Sequence, residues 1–157
     1  MSDADALAEI CGGVFPPSAS VWRAADFTSY AAAATSTVVV ARSAGNVCGG
    51  AVVQIVPGDP NSEVSDAEAE LLTIFRAAGS AGSGVGSAIL DHILKICAER
   101  QVAAIFLEVA ATNNRAQLLY QKFDFKRTGV RKGYFPSHKN NRVDAIMMTR
   151  CVPTNAE

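Results

Sequence analysis

Apolar positions in the first half of the chain predict two short helices followed by three strands. Residues 4–11 carry apolar side chains at helical spacing, and Gly12 and Gly13 are expected to end this helix. A second helix is predicted to start at Ser20, whose hydroxyl would cap its first turn. Three runs rich in β-branched residues then predict strands, the first two forming an antiparallel hairpin: residues 37–42, 47–56 and 69–75.

The second half of the chain alternates between helix and strand. From Val85 the apolar side chains fall on one helical face and the polar ones on the other. Residues 102–109 are nearly all apolar, which predicts a strand that is buried on both faces and paired in parallel. Asn113 or Asn114 can cap a further helix. A closing pair of strands is predicted over residues 126–134 and 144–149.

The resulting order of elements is ααβββαβαββ, which predicts an α/β (α+β) fold. No internal repeat or low-complexity linker divides the sequence, so one domain over residues 1–157 is expected. The strand–helix–strand unit at its centre should have a right-handed crossover.

Composition adds that the chain is of a soluble globular class. It has 157 residues, 49% of them hydrophobic and 18% charged, and no apolar run approaches the ~20 residues that span a bilayer. The first residues are acidic rather than basic, so we expect no secretory signal and a cytoplasmic location. Four cysteines without a C-x-x-C pair predict free thiols and no metal site. The net charge of −1 argues against a nucleic-acid partner.

The charges are unevenly distributed along the sequence. Residues 1–75 carry two basic and nine acidic side chains, net −7, whereas residues 76–157 carry twelve basic and six acidic ones, net +6. The second half could then serve an anionic ligand and the first half a cationic one. The same distribution would also result from chance segregation of solvated surface charge.

A glycine-rich segment, residues 79–86, lies between a predicted strand and the amphipathic helix. Its backbone amides can approach an anion closely because glycine has no Cβ, and a helix N-terminus adds partial positive charge. The Lys-Ser/Thr of a P-loop is absent after Gly84, and Ile89 occupies the place of the third dinucleotide-binding glycine. The segment indicates either an anion site or a flexible turn.

Two further side chains could carry chemistry. Glu108 interrupts the apolar strand near its end, where a carboxylate is either an ion-paired or exposed residue or a base beside a ligand. Tyr120 has the helical spacing of a core aromatic residue, and its hydroxyl could also donate a proton. His92 and His138 have no recognisable catalytic partner.

Taken together, these segments resemble the GCN5-related N-acetyltransferase (GNAT) superfamily. The resemblance rests on Glu70-Leu71-Leu72-Thr73-Ile74-Phe75, Ala81-Gly82-Ser83-Gly84-Val85-Gly86, Leu107-Glu108-Val109 and the run from Asn113 to Tyr120. With Arg131-Lys132-Gly133-Tyr134-Phe135-Pro136 and Asp144-Ala145-Ile146-Met147-Met148, the segments look like the ribosomal-protein-alanine N-acetyltransferase (RimI-like) branch. The match covers roughly residues 68–149.

The resemblance implies a mixed, splayed central sheet flanked by helices, with acetyl-CoA as cofactor and CoA as product. The pyrophosphate would lie on the amides of Gly82, Ser83, Gly84, Val85, Gly86 and Ser87. The pantetheine would pair with the backbone of Ile74, Phe75 and Arg76, and Asn113 would also touch the cofactor. By the same resemblance Glu108 is the general base, Tyr120 is the general acid, and Tyr134 and Phe135 line the entrance for a peptide.

The function implied is acetyl transfer to the α-amino group of a protein N-terminus, for example that of a small-subunit ribosomal protein. Three alternatives stay open: a small-molecule amine or lysine side chain as acceptor, a non-catalytic CoA-binding module, and a dinucleotide-binding oxidoreductase.

Three positions depart from the family pattern. Ala81 replaces a polar residue at the start of the loop, and Asp124 replaces a glycine, so the end of that helix is expected to turn differently. The segment 76–80 replaces an acidic-proline turn.

Overall fold

The computed structural model describes residues 1–15, 22–61, 67–80, 82–137 and 141–152, so Ser20, Ala81 and His138 lie outside the described residues. The elements follow the order ααβββαβαββ, with one extra 3-10 turn at Ala78–Ser80. The helices are α1 (Asp3–Val14), α2 (Ala24–Ala32), α3 (Val85–Glu99) and α4 (Asn114–Lys122). Helix α2 has Arg23 as its N-cap, so its predicted start at Ser20 is wrong. The strands are β1 (Ser36–Ser43), β2 (Asn46–Val56), β3 (Glu68–Arg76), β4 (Ala104–Ala110), β5 (Lys126–Pro136) and β6 (Arg142–Cys151). The predicted fold class is confirmed.

The six strands form one mixed sheet in the order β1-β2-β3-β4-β6-β5. The predicted hairpin of β1 with β2 is antiparallel, and β6 is antiparallel to both β4 and β5. The predicted parallel pairing joins β3 to β4, and its ladder runs only from Glu68–Ala104 to Leu71–Leu107. Past Leu71, no pair of β3 with β4 belongs to the described ladder.

Two compact units make up the chain, the first comprising residues 1–54 and 72–94 and the second residues 55–71 and 95–157. Strand β3 passes from the second unit into the first after Leu71. A single domain over residues 1–157 stays a prediction. Among the described residues, every helix is too short or too polar to cross a bilayer.

The first unit has an apolar core between its helices and strands. Leu7 and Cys11 from α1, Phe27 from α2, Val52 from β2 and Phe75 from β3 are all buried there. Helix α1 begins with a capping box between Ser2 and Asp5. It continues to Val14, so the predicted end at Gly12 and Gly13 is wrong. Two glycines cost helix stability, but burial of the apolar face of α1 outweighs that cost.

In the second unit, strand β4 buries one face only. Ile105, Leu107 and Val109 are buried, whereas Phe106 between them is 37% exposed. The predicted burial of both faces is therefore wrong. Successive side chains of a strand point to opposite faces, so Phe106 and Glu108 share the more open face. An apolar side chain at an open position looks the same in sequence as one in the core.

Candidate active site

The glycine-rich loop belongs to the first unit and leads into α3. Gly82 and Gly84 have φ angles of +79° and +78°, which strongly favour glycine, and a Cβ at either position would meet no atom within 4 Å. The N–H of Ser83 donates to the carbonyl of Ser80 at 3.3 Å, and Ala88 donates to Gly84 at 2.9 Å. Val85, Gly86 and Ser87 form the first turn of α3, where backbone N–H groups lack partners in the preceding turn. These amides could hold an anion.

The end of β3 packs closely against β2 and the start of α3. A Cβ at Gly49 would lie 2.7 Å from the carbonyl oxygen of Phe75 and 3.1 Å from Cγ1 of Val85. Phe75 is buried in the core, while Ile74 and Arg76 are half-buried. The Arg76 guanidinium donates to the carbonyl of Ala77 at 3.2 Å. The predicted pantetheine strand and the predicted phosphate loop are thus fixed to each other within this unit.

Glu108 lies in the second unit on the open face of β4. Its side chain is 20% exposed, and its Oε1 is 3.0 Å from NH2 of Arg131 on β5. It borders a cavity of about 220 Å³, whose lining includes Phe106, Met147 and Thr149 and a second carboxylate, Glu70. A carboxylate that is paired at one oxygen beside an open cavity can accept a proton from a ligand in that cavity.

Tyr134 and Phe135 lie in an irregular stretch of β5. The register with β6 shifts between Arg131 and Phe135, and the two aromatic rings contact each other edge to face at 5.0 Å. The guanidinium carbon of Arg131 lies 4.6 Å from the centre of the Tyr134 ring, within the range of a cation–π contact. Tyr134 is 39% exposed. The shift in register therefore leaves Tyr134 exposed beside Arg131, the ion-pair partner of Glu108.

Polar groups of β6 hold this irregular stretch in place. Asp144 accepts from the N–H of Gly133 at 2.8 Å and pairs with Nζ of Lys132 at 3.0 Å. The Gly133 N–H, followed by the Lys132 ammonium, holds the pKa of Asp144 below its usual range. NH2 of Arg142 donates to the carbonyl of Tyr134 at 2.7 Å, and its Nε donates to the carbonyl of Gly133. In the sequence, Asp144 stands only as part of a family-like motif, and nothing there indicates this role.

Tyr120 is buried at the end of α4, as its spacing indicated. Its carbonyl accepts from the N–H of Phe125 at 3.1 Å, and Asp124 N–H donates to Gln121 at 3.0 Å. This is a Schellman motif, and the ring centres of Tyr120 and Phe125 lie 5.8 Å apart, as such motifs favour. Burial raises the pKa of Tyr120 above its usual value, which makes its hydroxyl a weaker acid than that of an exposed tyrosine.

Asp124 takes the left-handed conformation, with φ +62°. The prediction that Asp124, in place of the family's glycine, changes the turn at this helix end is therefore wrong. Aspartate tolerates the left-handed conformation in which glycine is preferred. The helix ends in a glycine-type motif without a glycine.

Asn113 caps the start of α4. Its Oδ1 accepts from the N–H of Ala116 at 3.1 Å. Nε2 of Gln117 donates to the carbonyls of Ala110 and Ala111 at 3.2 and 3.1 Å, which ties α4 to the end of β4. Asn113 thus has a structural role, and its contact with a cofactor stays a prediction. Gln117 was missed because a glutamine on a helix gives no signal in a single sequence.

The predicted site residues divide between the units. The loop from Gly82 to Ser87 and the end of β3 belong to the first unit, and Asn113, Glu108, Tyr120, Tyr134 and Phe135 belong to the second. Within the second unit, Arg131 brings Glu108 and Tyr134 together.

Thiols and histidines do not form a metal-binding cluster in the part of the chain that the structure describes. Cys11, Cys48, Cys97 and Cys151 are free. No group of three metal-binding side chains occurs among the described residues. His92 is exposed on α3.

The fold and the order of these segments can be compared with known families. Residues 5–125 match the model of the acetyltransferase (GNAT) family. The chain belongs to this family. The resemblance derived from the loop, Glu108 and Tyr120 is thereby confirmed.

Relatives of this GNAT chain include enzymes named for a ribosomal protein. It is 38% identical over 65 residues to the [ribosomal protein bS18]-alanine N-acetyltransferase of Escherichia coli K12, a match that covers 41% of this chain. The match spans only 43% of the length of that relative.

Solved structures match over nearly the whole chain. The crystal structure of the ribosomal-protein-S18-alanine N-acetyltransferase from Escherichia coli has a TM-score of 0.80 at 27% identity, covering 99% of this chain and 91% of that one. Arabidopsis thaliana NAA60 in complex with a bisubstrate analogue has a TM-score of 0.78 at 18% identity, covering 98% and 94%, which shows the shared fold alone.

Proposed function

We propose that this GNAT chain transfers the acetyl group of acetyl-CoA to the α-amino group of a protein N-terminus, with a small-subunit ribosomal protein as the first candidate. The observation that carries the proposal is Glu108, a carboxylate on an apolar strand that borders an open cavity of about 220 Å³. The name of the Escherichia coli relative at 38% identity supports the choice of acceptor. The proposal includes a cytoplasmic location, since ribosomal proteins are made in the cytoplasm.

The loop before α3 would hold the cofactor. Positive φ angles at Gly82 and Gly84 and the amides of the first turn of α3 suit a pyrophosphate. The backbone of β3 beyond Leu71, outside the ladder with β4, would pair with the pantetheine. Acetyl-CoA supplies an activated thioester.

Glu108 would accept a proton from the amine, and Tyr120 would stabilise the departing sulfur. An α-amino group has an unperturbed pKa of about 8, so the acceptor is partly protonated at neutral pH. Glu108 would remove the proton from this ammonium fraction, directly or through water. The amine nitrogen forms the new amide bond while the bond between the acetyl carbon and sulfur breaks. The proton that the nitrogen loses in forming the amide passes to Glu108, directly or through water, and CoA leaves as the thiolate. Tyr120, whose hydroxyl is protonated at neutral pH, would donate a hydrogen bond to the departing sulfur. A raised pKa favours hydrogen bonding over complete proton transfer.

A peptide panel tests the function. Purified protein and acetyl-CoA are incubated with an alanine-initiated peptide, the same peptide with a blocked N-terminus, a blocked lysine peptide and a polyamine. Mass spectrometry then measures acetylation. We expect the first peptide alone to be modified. Acetylation of the lysine peptide or the polyamine would assign the acceptor to the alternative class, and CoA binding without any transfer would support a non-catalytic module.

Tyr120→Phe separates catalysis from binding. The variant keeps the buried ring but removes the hydroxyl, so we expect kcat to fall by about ten- to a hundred-fold with little change in the Kd for acetyl-CoA. Tyr30→Phe, on a half-buried tyrosine of α2, is the matched control and should leave both constants unchanged. An unchanged kcat in Tyr120→Phe would remove the acid role.

One of the two sequence features that favoured a non-catalytic CoA-binding module no longer does so. That alternative rested on Ala81 and Asp124, and Asp124 preserves the left-handed turn that holds Tyr120. Ala81 lies outside the described residues.

A further inference from the structure

Arg131 contacts two of the predicted site residues at once. Its NH2 is 3.0 Å from Oε1 of Glu108, and its guanidinium carbon lies 4.6 Å from the centre of the Tyr134 ring. A guanidinium can make both contacts because it is planar and offers donors along its edge and a face for stacking. Arg131 thus links the predicted base to the predicted entrance for the acceptor.

The path of the Arg131 side chain depends on the register of the three neighbouring strands β5, β6 and β4. On β6, Ala145 lies opposite Arg131 and Met147 lies opposite Glu108. Arg131 therefore reaches from β5 across β6 to β4. The strand between them carries the small, buried Ala145 at the position next to Arg131. The β5 residue opposite Met147 is Gly129, which adds no side chain there.

We infer that Arg131 is a positioning residue for the acetyl transfer, an inference that rests on the proposed function. It holds Oε1 of Glu108 and leaves Oε2 for the acceptor amine. Through its cation–π contact with Tyr134, it also aligns the carboxylate with the segment that receives the acceptor peptide. Arg131 itself touches no reacting atom.

This role predicts a particular kinetic pattern. Without the guanidinium, the Glu108 side chain can rotate among several rotamers, and only some of them present an oxygen to the amine. Turnover should fall, whereas binding of acetyl-CoA should not change. Lysine keeps the charge but is a point donor without a planar face, so it can replace only part of the role.

The experiment compares Arg131→Gln and Arg131→Lys with Arg127→Gln in the peptide acetylation assay. Arg127 is an exposed arginine on the same strand, opposite Met148, so the control removes the same charge. We expect Arg131→Gln to lower kcat by about ten-fold, with the KM for acetyl-CoA within about two-fold of wild type. Arg131→Lys should recover part of the loss, and Arg127→Gln should match wild type.

A double variant decides whether Arg131 acts through Glu108. If it does, adding Arg131→Gln to Glu108→Gln causes little further loss of kcat, because the group to be positioned is already gone. Equal losses in both backgrounds would overturn the inference, as would an active wild type whose kcat is unchanged in Arg131→Gln. A wild-type protein that acetylates no peptide would instead overturn the proposed function, and the role of Arg131 with it.

Discussion

Asp124 ends helix α4 with φ +62°, and its neighbours complete a Schellman motif around Tyr120. In this motif the Tyr120 carbonyl accepts hydrogen bonds from Phe123 at 3.0 Å and from Phe125 at 3.1 Å. A single left-handed residue thereby holds the backbone of the proposed general acid. Because Asp124 has a Cβ, the left-handed conformation has a steric cost here that glycine would not have.

We predict that Asp124→Gly stabilises the protein by about 1 kcal/mol, because glycine adopts positive φ without the steric cost of a Cβ. Urea unfolding measures the change, and peptide acetylation should be unaffected. Asp124→Val should be less stable than wild type, since a β-branched residue resists this conformation.

The matched control places the same glycine one turn earlier in the chain. Gln121→Gly lies within α4, where glycine should cost about 1 kcal/mol. A loss of stability in Asp124→Gly equal to that in Gln121→Gly would contradict the assignment of a left-handed cap.

At the scale of elements, the first unit brings three elements together at Gly49. A Cβ there would lie 2.7 Å from the backbone oxygen of Phe75, at the end of β3, and 3.1 Å from Val85, at the start of α3. Both elements carry predicted cofactor-binding residues. The absence of one side chain on β2 therefore permits the geometry of the proposed cofactor site.

We predict that Gly49→Ala weakens acetyl-CoA binding and lowers stability by about 1–3 kcal/mol, because the backbone of β3 must move to admit the methyl group. Isothermal titration calorimetry and urea unfolding measure the two effects.

Gly79→Ala serves as the control, because a Cβ at Gly79 has no atom within 4 Å and its φ is not positive. It should leave both quantities near wild type. Equal binding by the two variants would argue against a cofactor site at the end of β3.

At the scale of the whole molecule, folding redistributes the charges that the sequence separates. By sequence, the first unit carries three basic and five acidic side chains, net −2, and the second eleven basic and ten acidic, net +1. The acidic segment 55–71 belongs to the same unit as the basic residues from 95 onward. The interpretation of a positive cofactor half and a negative acceptor half is not supported, and the proposed loop relies on local amides instead.

Global stability should depend on the ionisation of a buried thiol. Burial raises the pKa of Cys97 from its ordinary value of 9.0 to about 11, with Arg100 opposing the shift. Because the folded state holds this proton more tightly, the thiol contributes stability below pH 9 that is lost as the pH rises through 11.

We therefore predict that wild-type protein loses about 1–2 kcal/mol more stability between pH 8 and pH 10.5 than Cys97→Ala does. Urea midpoints at the two pH values measure the difference. Cys151→Ala, at an exposed thiol, is the control and should lose as much as wild type. If Cys97→Ala and Cys151→Ala respond alike, Cys97 does not carry the effect.

Periodicity in the sequence was sufficient to predict the order of elements and the start of α3 at Val85. These features depend on local spacing and on connections between neighbouring segments, which a single sequence contains. The motifs around Gly82, Glu108 and Tyr120 were likewise sufficient for the GNAT family. The roles of those residues stay predictions.

Only the tertiary structure decided which face of β4 is buried, that Arg131 pairs with Glu108, and how the charges are grouped. Each of these depends on residues far apart in the chain: Arg131 and Glu108 meet because β6 lies between β5 and β4 in the sheet. The run 102–109 looks buried on both faces because a sequence records hydrophobicity but not what covers each side. Strand order and register, which long-range packing determines, supply that information.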